Sequence, residues 1–265
     1  MTNPTLTIDV LFTPLEVDAY LAHGQQDRAA SRKLFIVLDI LRASTTILTA
    51  LDIGAWGVYP VESIDEALSL RQQNPEWLLA GEVEGIKPEG FDFGNSPVEI
   101  ETHRGELLRK RLILATSNGT RLIRKLAPTL AVNDRLYVGA LTNLETLAHQ
   151  IKDDLSDVQQ NTNIIFCCAA RQGRASLEDT FVAGWMAAYL SFILEPVIPV
   201  LSDSAHIAIR SYKTYGEDPM VAFMDSHHGQ RLMSMEMHRD VEYCTFLNHS
   251  PLVAVYEQGW IVPAN

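Results

Sequence analysis

The sequence predicts an α/β fold, with a mostly parallel or mixed sheet and helices on both faces in three layers. Three observations carry that expectation. Short apolar runs recur along the chain, each run leads into a small polar loop, and each loop leads into an amphipathic helical stretch. Alternating strands and helices build a parallel sheet, and strands buried on both faces read as unbroken apolar runs. With 265 residues, 47% of them hydrophobic, the chain is long enough to bury roughly 70–75% of its unfolded surface. One domain over residues 1–265 is expected. The polar segment Lys152 to Asn163 joins either two lobes or merely two elements.

Leu34-Phe-Ile-Val-Leu38 reads as the first buried strand, followed by Asp39 and a helix from about Ala43 to Leu51. Gly54 to Pro60 is a second strand, and Ser63-Ile-Asp-Glu66 is a capping box that opens the next helix. Trp77 to Ala80 and Leu112 to Ala115 follow as strands, the latter leading into a helix from Arg121. Leu136 to Val138 and Ile164 to Cys167 complete the set, and a long helix starts near Leu177. The tail from Leu201 carries five of the eight histidines and is expected to add short strands and one helix.

Charge narrows the partners. A formal net charge of −12 repels nucleic acid and anionic lipid, so neither is expected. A small anionic substrate remains compatible through a local pocket of arginines. The longest apolar stretch, Val182 to Leu194, is shorter than the ~20 residues a bilayer requires. Met1 to Val10 lacks the pattern of a signal peptide. Three cysteines, with no C-x-x-C pair, point to a reducing compartment and a cytoplasmic protein. A homo-oligomer stays open.

In open α/β sheets, ligands bind beyond the carboxyl ends of the strands, so the loops there are the candidates. After the first strand, Asp39 is placed to bind a divalent cation, Arg42 to grip an anion, and Ser44 and Thr45 to line an anion seat. The same residues also read as a plain N-cap beside a surface arginine. Gly81 to Pro97 is a long glycine-rich loop that offers Glu82, Glu84, Glu89, Asp92, Asn95 and Ser96. Asn118-Gly119 marks a tight turn, with Thr120 and Arg121 opening the next helix. The loop from Cys168 holds Arg171 and Arg174, then Ser176, Glu178 and Asp179 at a helix start. Cys168 lacks the C-x₅-R spacing of a cysteine phosphatase and reads as structural. His227-His228 reads as a surface turn.

Taken together, Val37 to Thr45, Gly81-Glu82, Gly90-Phe-Asp-Phe-Gly-Asn-Ser-Pro97, Asn118-Gly-Thr-Arg121 and Ser176-Leu-Glu-Asp179 resemble the 2-phosphosulfolactate phosphatase family, in that order. A weaker echo lies at Asp240 to Cys244. The resemblance implies a magnesium-dependent phosphatase that releases 3-sulfolactate and phosphate, on a path to coenzyme M. It carries over to Asp39, Arg42, Glu82, Asn95, Asn118 and the Glu178-Asp179 pair. The chemistry then expected is Mg²⁺ held by Asp39, Glu82 and one of Glu178 or Asp179. Arg42 and the amides after Asn118 would steady the phosphoryl oxygens, with Ser44, Thr45, Asn95, Ser96, Gly119, Thr120, Arg121, Arg171 and Arg174 around the substrate. Asp92 is a candidate base. Other readings keep the fold with another phosphorylated acid, or keep only anion binding. Val83 stands where the family pattern often has a basic residue, which bears on the substrate more than on the reaction.

Overall fold

A computed structural model describes residues 4–23, 31–156 and 160–264. Eleven strands form one mixed, open sheet. They are β1 Leu6–Leu11, β2 Ser31–Leu38, β3 Gly57–Val61, β4 Leu78–Gly81, β5 Phe93–Gly94, β6 Arg111–Ala115, β7 Arg135–Val138, β8 Asn161–Cys168, β9 Val200–Leu201, β10 Ala254–Glu257 and β11 Trp260–Pro263. Their order is β5-β4-β6-β3-β11-β10-β7-β2-β8-β1-β9. The sequence-predicted strands are present as β2, β3, β4, β6, β7 and β8.

Two parallel blocks, β5-β4-β6-β3 and β7-β2-β8-β1-β9, flank the antiparallel hairpin β10–β11. The successive antiparallel pairings β7–β10, β10–β11 and β11–β3 leave the two blocks running in opposite senses. On a flat sheet their carboxyl ends would face opposite edges. The loops after the two blocks nevertheless meet beside the hairpin. The meeting is explicit: Gly119 N, after β6, donates to Asp39 Oδ2, after β2, at 2.7 Å.

The helix Ala43–Asp52 fills the concavity. Every residue from Ala43 to Leu51 is buried, and the helix packs against β3, β7, β10 and β11. Most hydroxyls of a buried helix find partners, although Thr46 Oγ1 has none among the described residues. Thr45 Oγ1 donates to the Ile40 carbonyl at 3.1 Å, and Thr49 Oγ1 to the Thr45 carbonyl at 2.8 Å.

Several local expectations hold. Ser63 accepts from Glu66 N at 3.1 Å and caps Ile64–Gln73, although the Glu66 carboxylate reaches Glu62 N rather than the cap's own amide. Phe91 and Phe93 are both buried, so the long loop packs down. The long helix spans Leu177–Ile193. The tail departs from expectation. Instead of one helix it forms four, Asp203–Tyr215, Pro219–Asp225, His227–Ser234 and His238–Cys244, because Ser202, Asp218 and Ser226 each cap a new start. Within Lys152 to Asn163, the helix Leu144–Leu155 ends and β8 begins, while 157–159 lie outside the described residues. Of the amino-terminal stretch, residues 1–3 lie outside them too. Among the described residues, no helix is long and apolar enough to cross a membrane.

Candidate active site

Acidic side chains tie together the loops at the meeting point. Asp39 Oδ1 accepts from Ala43 N at 3.3 Å, and Oδ2 accepts from Gly119 N. A Cβ on residue 119 would lie 2.7 Å from Asp39 Oδ2, so the approach requires glycine. Glu82 Oε1 accepts from Ser117 N at 2.9 Å and Oε2 from Gly85 N at 2.6 Å. Asp179 Oδ1 accepts from Ile40 N at 2.9 Å and Oδ2 from Ala170 N at 3.2 Å. Each carboxylate thus satisfies loop amides that no strand or helix partner reaches.

The loops enclose a cavity of about 260 Å³ lined by Asp39, Arg42, Glu82, Asn95, Asn118, Arg121, Arg171 and His228, among others. Two tight turns, Val83–Ile86 and Arg171–Arg174, frame its mouth. Each has positive φ at both central residues, 53° and 90° at Glu84-Gly85, 49° and 74° at Gln172-Gly173. That is the backbone of a two-residue hairpin turn, for which a central glycine is suited. A second cavity of about 430 Å³ adjoins the first and is lined by Arg174, Ser176, Glu178 and His227, with Arg171, Gln172 and His228 common to both.

Electrostatics sets this region apart. Burial first, then the neighbouring Asp179 and Glu82, push the Asp39 carboxyl well above the ordinary carboxylate range. Burial and Glu178 raise Asp179, and burial with Asp39 raises Glu178. No salt bridge reaches these three acids among the described residues. Buried like charges of this kind favour a proton or a cation between them. The donors suit a hard cation: Asp39 and Glu82 line the cavity, and Asn95 Oδ1 is buried without a hydrogen-bond partner among the described residues. No three His, Cys, Asp or Glu side chains form a preformed cage among the described residues. Magnesium does not require one, since it keeps several waters and takes one or two carboxylates together with substrate phosphate oxygens.

Several sequence expectations need correction. The amides after Asn118 are occupied, Gly119 N by Asp39 and Thr120 N by Thr116 Oγ1 at 3.2 Å, so they do not form an open oxyanion seat. Gly119 and Thr120 are buried and shape the loop. Ser44 Oγ accepts from Asp39 N at 2.9 Å, and Thr45 is turned onto Ile40, so both hydroxyls serve the helix start. Ser96 Oγ caps Pro97–Thr102 and donates to Asp240 Oδ1 at 2.6 Å. Asp179 lines neither cavity: it is buried behind the loops, where it accepts from Ile40 N and Ala170 N. Glu178 and Arg174 face the second cavity rather than the first. Asp92 accepts from Arg71 Nη1 at 2.6 Å and Leu79 N at 2.8 Å and does not line the cavity, which sets it aside as a base. Cys168, by contrast, is as expected: it is fully buried and burial drives its thiol far up, which suits a structural cysteine.

Two residues absent from the sequence-based site belong here. His228 opens a helix over the cavity instead of sitting in a surface turn, and its Nδ1 meets Arg171 Nη1. Only the long-range fold places it, and no local pattern marks it. Asp240 Oδ2 accepts from Arg42 Nη1 at 2.5 Å, while Arg42 Nη2 donates to the Gly85 carbonyl at 3.2 Å. The echo at Asp240 to Cys244 was the available signal. Arg42 is therefore a buried, aimed guanidinium rather than a surface charge.

Comparison with known proteins identifies the family. A family model described as 2-phosphosulpholactate phosphatase matches residues 20–259. A protein of Carboxydothermus hydrogenoformans named "Probable 2-phosphosulfolactate phosphatase" is 36% identical over 244 residues, 92% of this chain and 90% of that one. A protein of Deinococcus radiodurans with the same name is 34% identical, covering 86% and 90%. Another from Pseudothermotoga lettingae is 31% identical, covering 94% and 95%.

Proposed function

The chain belongs to the 2-phosphosulfolactate phosphatase family of phosphoric monoester hydrolases, and from that premise we propose that it hydrolyses 2-phosphosulfolactate to 3-sulfolactate and phosphate with Mg²⁺, in the cytoplasm and on a path to coenzyme M. The observation that carries this reading is one small cavity in which buried Asp39 and half-buried Glu82 face three arginines, Arg42, Arg121 and Arg171. The substrate carries a phosphate, a sulfonate and a carboxylate, so three guanidiniums match three anionic groups. Family membership and the relatives' names support the substrate class.

Asp39 and Glu82 would hold the cation, with Glu178 beside them in the adjoining chamber. Mg²⁺ bound there supplies Lewis-acid polarisation of the phosphoryl oxygens. Arg42 is fixed by Asp240 and the Gly85 carbonyl, so its remaining N–H donors meet the phosphoryl group without reorganisation. Arg171 and Arg121, nearer the mouth, orient the carboxylate and the sulfonate. Phosphate release from 2-phosphosulfolactate, compared with a panel of small phosphorylated acids, tests the reading. Strong activity with Mg²⁺, loss with chelator and preference for the sulfonated substrate support it. Equal turnover across the panel would remove the sulfonate from the assignment.

A further inference from the structure

The two cavities meet at Arg171, Gln172 and His228. The Arg171–His228 hydrogen bond stands between them. Leu41, in the loop after β2, lines the first cavity together with His228, so the ring lies where the loops after β2 and β8 converge. Its helix, His227–Ser234, sends Arg231 Nη2 to the Glu84 carbonyl at 3.1 Å and so grips the opposite turn as well. Burial, then Arg171 and Arg42, push the His228 pKa down to about 3. The ring is neutral at working pH, and Nδ1 accepts from the guanidinium. Behind the pair, Glu178 Oε2 is buried with no hydrogen-bond partner among the described residues. A buried acceptor in a roomy chamber gains from a ligand hydroxyl.

We propose that the Arg171–His228 pair is a partition that limits the length of the phosphate ester the site admits, and that the chamber behind it takes the hydroxyl-bearing tail of a longer phosphorylated polyol once the partition is removed. The kinetic test of this idea rests on the phosphatase reading, whereas the binding test does not.

His228→Ala removes the ring, and His228→Asn keeps a shorter acceptor for Arg171. Calorimetry with Mg²⁺ present compares a three-carbon phosphonate with a six-carbon polyol phosphonate, neither of which is hydrolysed. In His228→Ala the affinity ratio of long to short ligand should rise about tenfold, equivalent to one bound hydroxyl. His228→Asn should fall between wild type and His228→Ala. Adding Glu178→Ala to His228→Ala should cancel most of the gain. An unchanged ratio in a variant whose circular dichroism matches wild type overturns the partition. If His228→Ala fails to fold, the ratio in His228→Asn decides. Hydrolysis of sorbitol 6-phosphate against glycerol 3-phosphate gives the kinetic counterpart. A shifted binding ratio without turnover of either ester, or of 2-phosphosulfolactate, refutes the phosphatase reading and leaves the partition standing.

Discussion

The two parallel blocks of the sheet end in loops of the same kind yet contribute differently. The β2–β8 side delivers Asp39, Glu178 and Asp179, all buried. The β4–β6 side delivers Glu82, whose oxygens hold two loop amides, and Glu84, which is exposed and reaches Arg231 at 3.5 Å. Burial makes the difference. One side concentrates negative charge in a dry place, where only a proton or a cation relieves it, and the other supplies a wet rim that adjusts to the ligand. Position after a strand selects the candidate residues, while desolvation decides which of them carry strong electrostatics.

Mutating the dry side should have the largest effect. Asp39→Asn places an amide N–H against either Ala43 N or Gly119 N, opposing donor to donor. The expected loss of kcat is at least about 100-fold, on the scale of removing one oriented transition-state contact, measured as phosphate release. Glu82→Gln should lose less, because its side is less buried. Equal losses would erase the contrast between the two sides.

Next in size is the buried pair that aims Arg42. Arg42 and Asp240 side chains are 3% and 7% exposed. Asp240→Ala leaves the guanidinium uncompensated and should cost about 3–5 kcal/mol of stability, read by denaturant unfolding. Arg42→Lys keeps the charge but loses the planar fork, and should lower kcat more than it raises KM. Wild-type kinetics for Arg42→Lys would remove that residue from the site.

A smaller effect should appear in stability against pH. Asp39, Glu178 and Asp179 have folded pKa values above their unfolded ones. The metal-free folded protein therefore holds more protons than the unfolded chain, and its stability falls as pH rises from the ordinary carboxylate range towards the raised values. His228, lowered to about 3, works the other way up to its unfolded value near 6.5, but one imidazole opposes three carboxylates. The melting temperature of chelator-treated protein should drop between about pH 5 and pH 8, Mg²⁺ should restore it most at pH 8, and Asp179→Asn should flatten the slope. A slope unaltered in Asp179→Asn would separate these acids from the effect.

The smallest effect is expected at Cys168. Cys168→Ser buries a hydroxyl in an apolar place and should cost about 1–3 kcal/mol while leaving kcat near wild type. A phosphorylated cysteine detected by mass spectrometry would contradict this.

The apolar runs of β2, β6 and β8 identified themselves as buried strands, and the residues following them, Asp39, Asn118 and Arg171, stood out as the places to look. Glu84-Gly85 and Gln172-Gly173 are turn pairs of a kind that sequence patterns mark weakly, since glutamate and glutamine seldom occupy positive φ. His228 had no local signature at all, because its place depends on four tail helices packing over a site built some 190 residues upstream.

By itself the sequence determined the alternating elements, the apolar core and the family. Strand periodicity, caps and glycine turns act over a few residues, so they are legible in a linear text. Only the tertiary structure decided which candidates face the ligand. The hairpin β10–β11 reverses one parallel block against the other, yet the loops after β2 and β6 meet beside the buried helix Ala43–Asp52. That geometry turns Ser44, Thr45, Ser96 and Asp179 towards backbone groups, draws Asp240 under Arg42 and sets His228 against Arg171. Such choices depend on which polar groups lose water and must find partners across the whole chain, and no short stretch of sequence contains that information.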